Sequence, residues 1–176
     1  MNLTQSAITL KELSQLSGFS ISTVSKALNN KFDISPTTRK VIQKIASKHN
    51  YVANNYAVAL RKKQTNAIAI IIPQINTGIY SCFLYHIEKA ASKFGYRIVL
   101  FQSFSALERE KECLQSISDG SVDGAILLST NKLQTLQKKQ YHQLPVQYVQ
   151  LPEELHEKQL KQKCITVFSD LIASLR

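Results

Sequence analysis

Residues 8–29 read ITLKELSQLSGFSISTVSKALN, and their pattern predicts the local structure of the first third of the chain. Thr9 and Glu12 have the spacing of a capping box, in which the threonine hydroxyl and the glutamate carboxylate each accept a backbone N–H of the other residue. Gly18 suits the left-handed residue that ends a helix, and Ser20 can cap a second helix directly after it. The pattern therefore predicts a helix-turn-helix, in which two short helices are joined by a glycine-containing turn.

A third helix is predicted to complete this N-terminal domain. It should begin at Ser35-Pro36, because a cap followed by proline is typical of a first helical turn. Apolar residues recur at helical spacing in all three helices, and we expect them to form one core: Leu10, Leu13, Leu16, Val24, Ala27, Leu28, Val41, Ile42, Ile45 and Ala46. The outer face of the second helix carries Ser22, Ser25 and Lys26. Such a face can enter the major groove and donate to base edges and phosphates.

Positive charge is concentrated in the same part of the chain. The 176 residues have a formal net charge of +10. Residues 1–66 hold ten Lys or Arg and two acidic residues, a net charge of +8, whereas the other 110 residues hold twelve and ten. A cationic segment favours a polyanionic partner such as nucleic acid. A solvated basic face without a partner is the alternative that charge alone leaves open.

Composition excludes several other classes of protein. With 44% hydrophobic and 19% charged residues, the chain is typical of a globular protein. The longest apolar run, residues 67–72, is far shorter than the roughly 20 residues that cross a bilayer, so we expect a cytoplasmic protein with no membrane partner. The three cysteines are widely spaced and are expected to be reduced thiols. Neither they nor the four histidines have metal-ligand spacing, so we expect no metal and no cofactor.

From residue 66 the hydrophobic pattern becomes that of alternating strands and helices. The apolar run 67–72, which ends at Pro73, predicts a strand buried on both faces. The elements predicted after it are a helix over 80–94, a strand over 96–101, a helix over 106–118 capped by Ser105, a strand over 124–128, a helix over 132–141, a strand over 146–149 and a last strand over 165–168. This order predicts a parallel sheet with helices on both faces, in which ligands bind at the carboxyl ends of the strands.

The helix-turn-helix resembles the DNA-binding headpiece of the lactose/galactose repressor (LacI/GalR) family, whose hallmark is the pattern G-V-S-x-x-T-V-S-R-x-L-N. The residues that match outright are Gly18, Ser20, Thr23, Val24, Ser25, Leu28 and Asn29. Phe19 replaces the usual Val, and Lys26 replaces the usual Arg, which keeps the charge but loses the bidentate fork. The resemblance implies a sequence-specific transcriptional repressor that binds double-stranded operator DNA as a homodimer. Its headpiece contacts would be Thr9, Ser20, Ile21, Ser22, Thr23, Ser25, Lys26 and Asn29.

Residues 54–63, NNYAVALRKK, are similar to the hinge helix of that family, which folds only on DNA and lies in the minor groove. The resemblance makes Leu60 the wedge between bases and places Ala57 against the groove floor, with Asn54 and Arg61 as further contacts. The segment is short and ends in three cations, so a helix there should be marginal until phosphates neutralise them. The resemblance divides the chain into a headpiece at 1–53, a hinge or linker at 54–65 and a partial sensor domain at 66–176.

The α/β part resembles the sensor domain of the same family, which is like a periplasmic sugar-binding protein. The matching segments are Ile68–Pro73, Ile87–Ala91, Gly95-Tyr96 and Val122–Leu127. Family members are roughly twice as long and enclose their effector between two lobes, so we expect the first lobe of an incomplete fold: a fragment, a frameshifted product or a naturally shortened repressor. The effector of the full-length form would be a sugar or related metabolite. The residues expected on the one wall present are Asn76, Ile79, Tyr80, Asn131 and Gln150.

Two consequences and two alternatives accompany this interpretation. A single wall leaves much of the surface of a bound ligand exposed to solvent, so the effector response should be weak. A missing lobe should also weaken the homodimer.

One alternative is a nonspecific DNA-binding protein without an effector response. The other is a doubly wound enzyme that binds a nucleotide or sugar. The sequence lacks G-x-G-x-x-G, a Walker loop and G-x-S-x-G, so we predict no enzyme and no catalytic residue.

Overall fold

A computed structural model describes residues 8–53, 59, 64–131, 144–152 and 155–175 of the chain. The chain divides into two compact units, residues 1–58 and 59–176, and each has a hydrophobic core of its own. The predicted boundaries at residues 53 and 65 stay predictions, because most of the proposed hinge lies outside the described residues. The helix predicted over 132–141 also lies outside them.

The first unit contains three short helices, each begun by a hydroxyl side chain. They are α1 (Leu10–Ser17), α2 (Ile21–Leu28) and α3 (Pro36–Lys48). Thr9, Ser20 and Ser35 each accept the N–H of the residue three positions later, so all three predicted caps are confirmed. Gly18 ends α1 in the left-handed conformation with φ of 72°, also as predicted.

The core of the first unit is smaller than the sequence pattern predicts. Its fully enclosed side chains are Leu13, Val24, Ala27, Ile42 and Ala46. Leu10, Leu28 and Ile45 are half-buried and pack against them. Leu16 and Val41 are 53% and 43% exposed, so their assignment to the core is wrong. Three short helices cover only the stripe along which they meet, and apolar residues at its edge or at a helix end stay in water.

The second unit is built on a four-stranded sheet in which every pair of neighbours is parallel. Its strands are β1 (Ala67–Ile72), β2 (Arg97–Gln102), β3 (Gly124–Leu128) and β4 (Val146–Val149), in the spatial order β2-β1-β3-β4. The central strands β1 and β3 are buried along their whole length. Their apolar runs are typical of parallel strands that are covered on both faces, and the predicted α/β parallel-sheet fold is confirmed.

Three described helices cover the two faces of this sheet. They are α4 (Gly78–Lys93), α5 (Leu107–Ser116) and α6 (Glu157–Ser174). Ile68, Ile70 and Ile72 of β1 belong to the cluster that includes side chains of α4 and α6. The alternate residues of the same strand, such as Ile71, belong to the cluster formed with α5. The alternation of side chains along a strand thus supplies both layers of the core.

The last predicted strand, over residues 165–168, is wrong. This segment lies inside α6, whose buried residues are Leu160, Cys164, Phe168 and Leu171. Their spacings of four, four and three residues match one face of a helix. A short apolar run of β-branched residues favours a strand locally, but packing of the whole helix on the sheet decides its conformation.

The start of α5 also differs from the prediction. Ser105 was expected to cap this helix, but Ala106 occupies the cap position and makes no side-chain cap hydrogen bond. Ser105 adopts φ of 58°, outside the extended region that a capping residue uses. The turn that follows β2 therefore decides the conformation of Ser105.

The three thiols are free in the structure. Cys82 is half-buried, and Cys113 and Cys164 are buried. Burial raises the pKa of the Cys113 thiol and raises that of Cys164 to about 12. Both buried cysteines are therefore protonated at neutral pH and behave as small apolar core residues.

Candidate nucleic-acid interface and ligand cleft

Helix α2 presents the predicted base-reading residues to solvent. Ile21 is 48% exposed, and Ser22, Lys26 and Asn29 are exposed as well. Val24 and Ala27, on the opposite face, are fully buried in the core of the unit. The helix is therefore held by its apolar side and offers short polar groups and one cation outward, as the sequence predicts.

Ser20, Thr23 and Ser25 have structural partners in this arrangement. The Ser20 hydroxyl accepts the Thr23 N–H at 3.1 Å and lies 2.9 Å from the Thr23 hydroxyl. At the other end of the helix, the Asn29 side-chain amide donates to the Ser25 carbonyl at 2.7 Å. These polar residues fix the two ends of α2, and their proposed DNA contacts would come in addition to that role.

Thr9 caps α1 through both halves of the predicted capping box. Its hydroxyl accepts the Glu12 N–H at 3.2 Å, and its own N–H and hydroxyl donate to the Glu12 carboxylate at 2.7 and 2.8 Å. These hydrogen bonds lower the pKa of Glu12. The carboxylate thus stays ionised near the positive end of the helix.

Lys26 is paired with Asp33, a contact that the sequence analysis missed. The Lys26 ammonium donates to the Asp33 carboxylate, and the two side chains are 48% and 53% exposed. The hydrogen bond from Lys26 lowers the pKa of Asp33. One feature of the sequence could have indicated this pair: Glu12 and Asp33 are the only acidic residues before residue 67, so Asp33 is one of few possible partners for a lysine there.

The loop between α2 and α3 is held by Arg39, which lies in the first turns of α3. One guanidinium nitrogen of Arg39 donates to the carbonyls of Lys31 at 2.6 Å and Ile34 at 3.3 Å. Gln43 donates to the side chain of Asn30 at 3.1 Å. The loop that contains Asp33 is therefore hydrogen-bonded to α3 at several points.

The predicted hinge contacts lie outside the described residues, namely Asn54, Ala57, Leu60 and Arg61. Residues 64–66 belong to the second unit, and Asp123 of the same unit holds two of them. Its carboxylate accepts the N–H groups of Thr65 at 2.6 Å and Asn66 at 2.8 Å and the Thr65 hydroxyl at 2.9 Å. Gln64 donates to the Tyr96 hydroxyl at 2.9 Å. Asp123 and Tyr96 belong to segments that match the family motifs, but nothing in the sequence indicates these contacts.

The carboxyl ends of β3 and β4 open into a cleft of about 620 Å³. It is lined by Ile79, Tyr80, Leu128, Ser129, Thr130, Val149, Gln150, Leu151 and Pro152. Parallel sheets bind ligands at this end of their strands. Three of the five predicted effector residues are among the lining residues, and Asn131 adjoins them because its carbonyl accepts the Gln150 amide at 3.2 Å.

Asn76 is the predicted effector residue that the structure does not place on this cleft. It is exposed, and its neighbour Ile75 donates its N–H to the Gln102 side chain at 2.8 Å. Gln102 ends β2, which lies on the opposite side of β1 from β3. The loop is therefore tied toward the edge of the sheet that is remote from the cleft.

A buried carboxylate lies behind the cleft. Glu110 of α5 is fully buried, and it accepts hydrogen bonds from Ser129 at 2.9 Å and from the Asn131 amide at 3.3 Å. Burial raises the pKa of Glu110, although these two bonds partly offset the effect. The side chain connects α5 to the end of β3 and holds Ser129 and Asn131 in position at the cleft.

Replacing Glu110 by glutamine should remove a pH dependence from the stability of the second unit. A raised carboxyl pKa means that the folded state binds the proton more tightly, so stability falls as pH rises from the ordinary value of 4.5 through the folded value. As pH rises across this window, the free energy of unfolding of Glu110→Gln should therefore increase relative to that of the wild type, by at most about 1.4 kcal/mol per pH unit. Urea unfolding between pH 4 and 8 measures the difference. Glu112→Gln, a change on the same helix at an exposed residue that binds Arg109 and neither Ser129 nor Asn131, should not reproduce this gain.

Comparisons with known proteins match the helix-turn-helix to a described family model. Residues 9–54 match the family model of bacterial regulatory proteins, lacI family. A ribose operon repressor of Halalkalibacterium halodurans is 28% identical over 149 residues, which are 85% of this chain and 44% of that protein. The transcriptional regulator RegA of Clostridium saccharobutylicum is 30% identical over 71% of this chain and 38% of its own length. The chain thus spans less than half the length of these curated relatives.

Solved structures agree with the fold. A lac repressor dimer bound to operator and the anti-inducer ONPF superposes with a TM-score of 0.74 at 22% identity, over 81% of this chain and 44% of that one. A LacI-family transcriptional regulator from Silicibacter pomeroyi gives 0.64 at 26% identity, over 80% and 43%. Among the described residues, no helix is long and apolar enough to cross a membrane. No cluster of three or more His, Cys, Asp or Glu side chains in those ranges could hold a metal ion.

Proposed function

We propose that this chain is a cytoplasmic transcriptional repressor that binds double-stranded operator DNA through α2, because residues 9–54 match the model of the lacI family of bacterial regulatory proteins. The observation that carries the proposal is the outward face of α2, where Ile21, Ser22 and Lys26 are exposed on a unit with excess positive charge. The first residues of a recognition helix are those that contact base edges in helix-turn-helix proteins.

The proposed DNA contacts fall into two groups. Thr9, Ser20, Ile21, Ser22, Thr23, Ser25, Lys26 and Asn29 form the headpiece group, and Asn54, Ala57, Leu60 and Arg61 form the hinge group. A helix-turn-helix reads one half-site, and a two-fold operator therefore calls for a homodimer. The solved lac repressor is a dimer on its operator, which supports this part of the proposal.

The cleft at the ends of β3 and β4 is the proposed effector site. Ser129, Thr130 and Gln150 supply hydroxyl and amide groups, and Tyr80 supplies an aromatic surface. Such a mixture suits a small polyhydroxylated metabolite, with Ile79 and Asn131 as further candidate contacts and Asn76 as a more remote one. The name of the ribose operon repressor supports a sugar or related compound as the class of effector.

Replacing Lys26 by alanine should weaken sequence-specific DNA binding. A preferred duplex is first selected from a randomised library with the wild-type chain, and fluorescence anisotropy then gives affinities for that duplex and for a random one. Lys26→Ala should lose about 1–3 kcal/mol on the selected duplex if the lysine contacts a base. Lys161→Ala, which removes the same charge from α6 of the other unit, should leave this affinity nearly unchanged.

Three results distinguish the proposal from its alternatives. If the joint substitution of Ile21, Ser22 and Lys26 by alanine leaves the preference for the selected duplex unchanged, α2 is not the recognition helix. If selection enriches no sequence although the chain binds duplex DNA, the chain is a nonspecific DNA-binding protein. If no salt-sensitive binding to duplex DNA is detected, the proposal fails as a whole.

A further inference from the structure

An acidic side chain on the proposed DNA-binding surface needs an explanation. Residues 8–53 carry seven Lys or Arg and only two acids, and the carboxylate of one of them, Glu12, is used in the capping box of α1. Asp33 is the other acid, and it binds Lys26 on the outward face of α2. A carboxylate beside phosphates costs affinity, so Asp33 should contribute something other than attraction to DNA.

The loop that carries Asp33 is built to keep the carboxylate in place. The Lys31 N–H donates to the Lys26 carbonyl at 3.0 Å, and the Asn30 N–H donates to the Ala27 carbonyl at 3.2 Å, so the loop folds back on the end of α2. From the other side, Arg39 bonds the carbonyls of Lys31 and Ile34, which bracket Asp33. The ion pair is exposed, but one partner is fixed by the backbone around it.

Pairing changes what Lys26 can do on DNA. A lysine ammonium is a compact point charge on a flexible stem, and an unpaired one binds any phosphate within reach. With Asp33 beside it, Lys26 gains little from a phosphate, because the pair has no net charge and the carboxylate repels an anion that approaches the ammonium. The ammonium nonetheless has three donors, so it can keep Asp33 and still donate to the acceptors on a guanine edge.

We propose that Asp33 is a specificity-determining residue of the DNA-binding surface: it neutralises Lys26 toward phosphates and orients it toward base edges. This inference rests on the proposed function, since it assumes that α2 faces DNA. Asp33 supplies the geometric restraint that an arginine fork would supply by itself. It lowers affinity for DNA of arbitrary sequence and thereby raises the ratio of specific to nonspecific binding.

The test is the salt dependence of binding to a random-sequence duplex of three helical turns, measured by fluorescence anisotropy. In Asp33→Asn the freed Lys26 should make one additional phosphate contact, so the slope of log K against log salt concentration should steepen by about 0.9. The matched control is Asp170→Asn, an exposed change in α6 that alters the net charge equally, and its slope should equal that of the wild type. Selection from a randomised library with Asp33→Asn should also yield a less restricted set of sequences.

A second background tests whether the effect passes through Lys26. In a chain that carries Lys26→Gln, the further change Asp33→Asn should leave the slope unchanged, because there is no ammonium to release. The inference is overturned if Asp33→Asn and Asp170→Asn give the same slope, or if Asp33→Asn steepens the slope equally in the Lys26→Gln background, which would indicate general repulsion. A wild-type chain without salt-sensitive binding would instead overturn the proposed function, and this inference with it.

Discussion

Replacing Ile42 by alanine is expected to unfold residues 8–53 at room temperature and to abolish DNA binding while the second unit remains folded. Ile42 is fully buried, in a core that has five buried side chains among the described residues of this unit. Truncation of a buried isoleucine to alanine costs about 2–5 kcal/mol. A domain of this size rarely has more than about 3–5 kcal/mol of stability in total, so one such change removes most of it.

The neighbouring residue supplies the control for this prediction. Val41 lies on the same helix but is 43% exposed, so Val41→Ala should change stability by less than about 1 kcal/mol. Calorimetry on the whole chain should show the transition of the first unit lost in Ile42→Ala and retained in Val41→Ala, with the transition of the second unit unchanged in both. If the first unit of Ile42→Ala still unfolds in a transition like that of the wild type, the core around Ile42 does not provide most of the stability of this unit.

The features that the sequence predicted correctly depend on residues close together in the chain. Ser20 caps its helix by accepting the N–H of Thr23, which is only three residues away. The left-handed conformation at Gly18 depends on a single residue. The strands at 67–72, 124–128 and 146–149 have the predicted bounds. The first two are central strands of the sheet, and they show as continuous apolar runs because both of their faces are buried. Local chemistry of this kind is visible without a structure.

The features that were missed depend on contacts between distant residues. Asp123 bonds Thr65, 58 residues earlier, and nothing in the spacing of charged residues marks such a pair. Glu110 lies in the run of residues 108–112, where acidic and basic residues alternate in the way that is typical of a solvated helix face, yet its side chain is buried. The Lys26 and Asp33 pair depends on how the loop after α2 folds back, which in turn depends on Arg39. Only the assembled fold decides which polar groups meet.

The candidate ligand site shows the same division. The family resemblance implies effector contacts at Asn131, in the loop after β3, and at Gln150, which directly follows β4, and both lie at the edge where the carboxyl ends of these strands meet. Asn76 also follows a strand, but the Ile75 to Gln102 hydrogen bond ties its loop toward β2. Strand order predicts which edge a loop leaves from, and side-chain contacts decide where the loop then lies.

Replacing Phe168 by alanine should lower the stability of the second unit by about 3–5 kcal/mol, because it leaves a cavity between α6 and the sheet. Phe168 is fully buried, and its ring centroid lies 5.6 Å from that of Phe94 and 6.1 Å from that of Tyr96. For a domain of about 110 residues the melting temperature should fall by on the order of 15 °C. Thermal unfolding followed by circular dichroism measures this shift.

Ile165 on the same helix distinguishes the observed helix from the strand that its sequence favours. It is 43% exposed in α6, so Ile165→Ala should change the melting temperature by only a few degrees, on the order expected for a surface position. In a strand buried on both faces, which the local sequence favours, Ile165 and Phe168 would both be enclosed, and both truncations would be costly. In a helix only Phe168 shares the buried face with Cys164 and Leu171. Equal destabilisation by the two variants would therefore contradict the helical packing of α6, whereas a large loss confined to Phe168→Ala is the result that this packing requires.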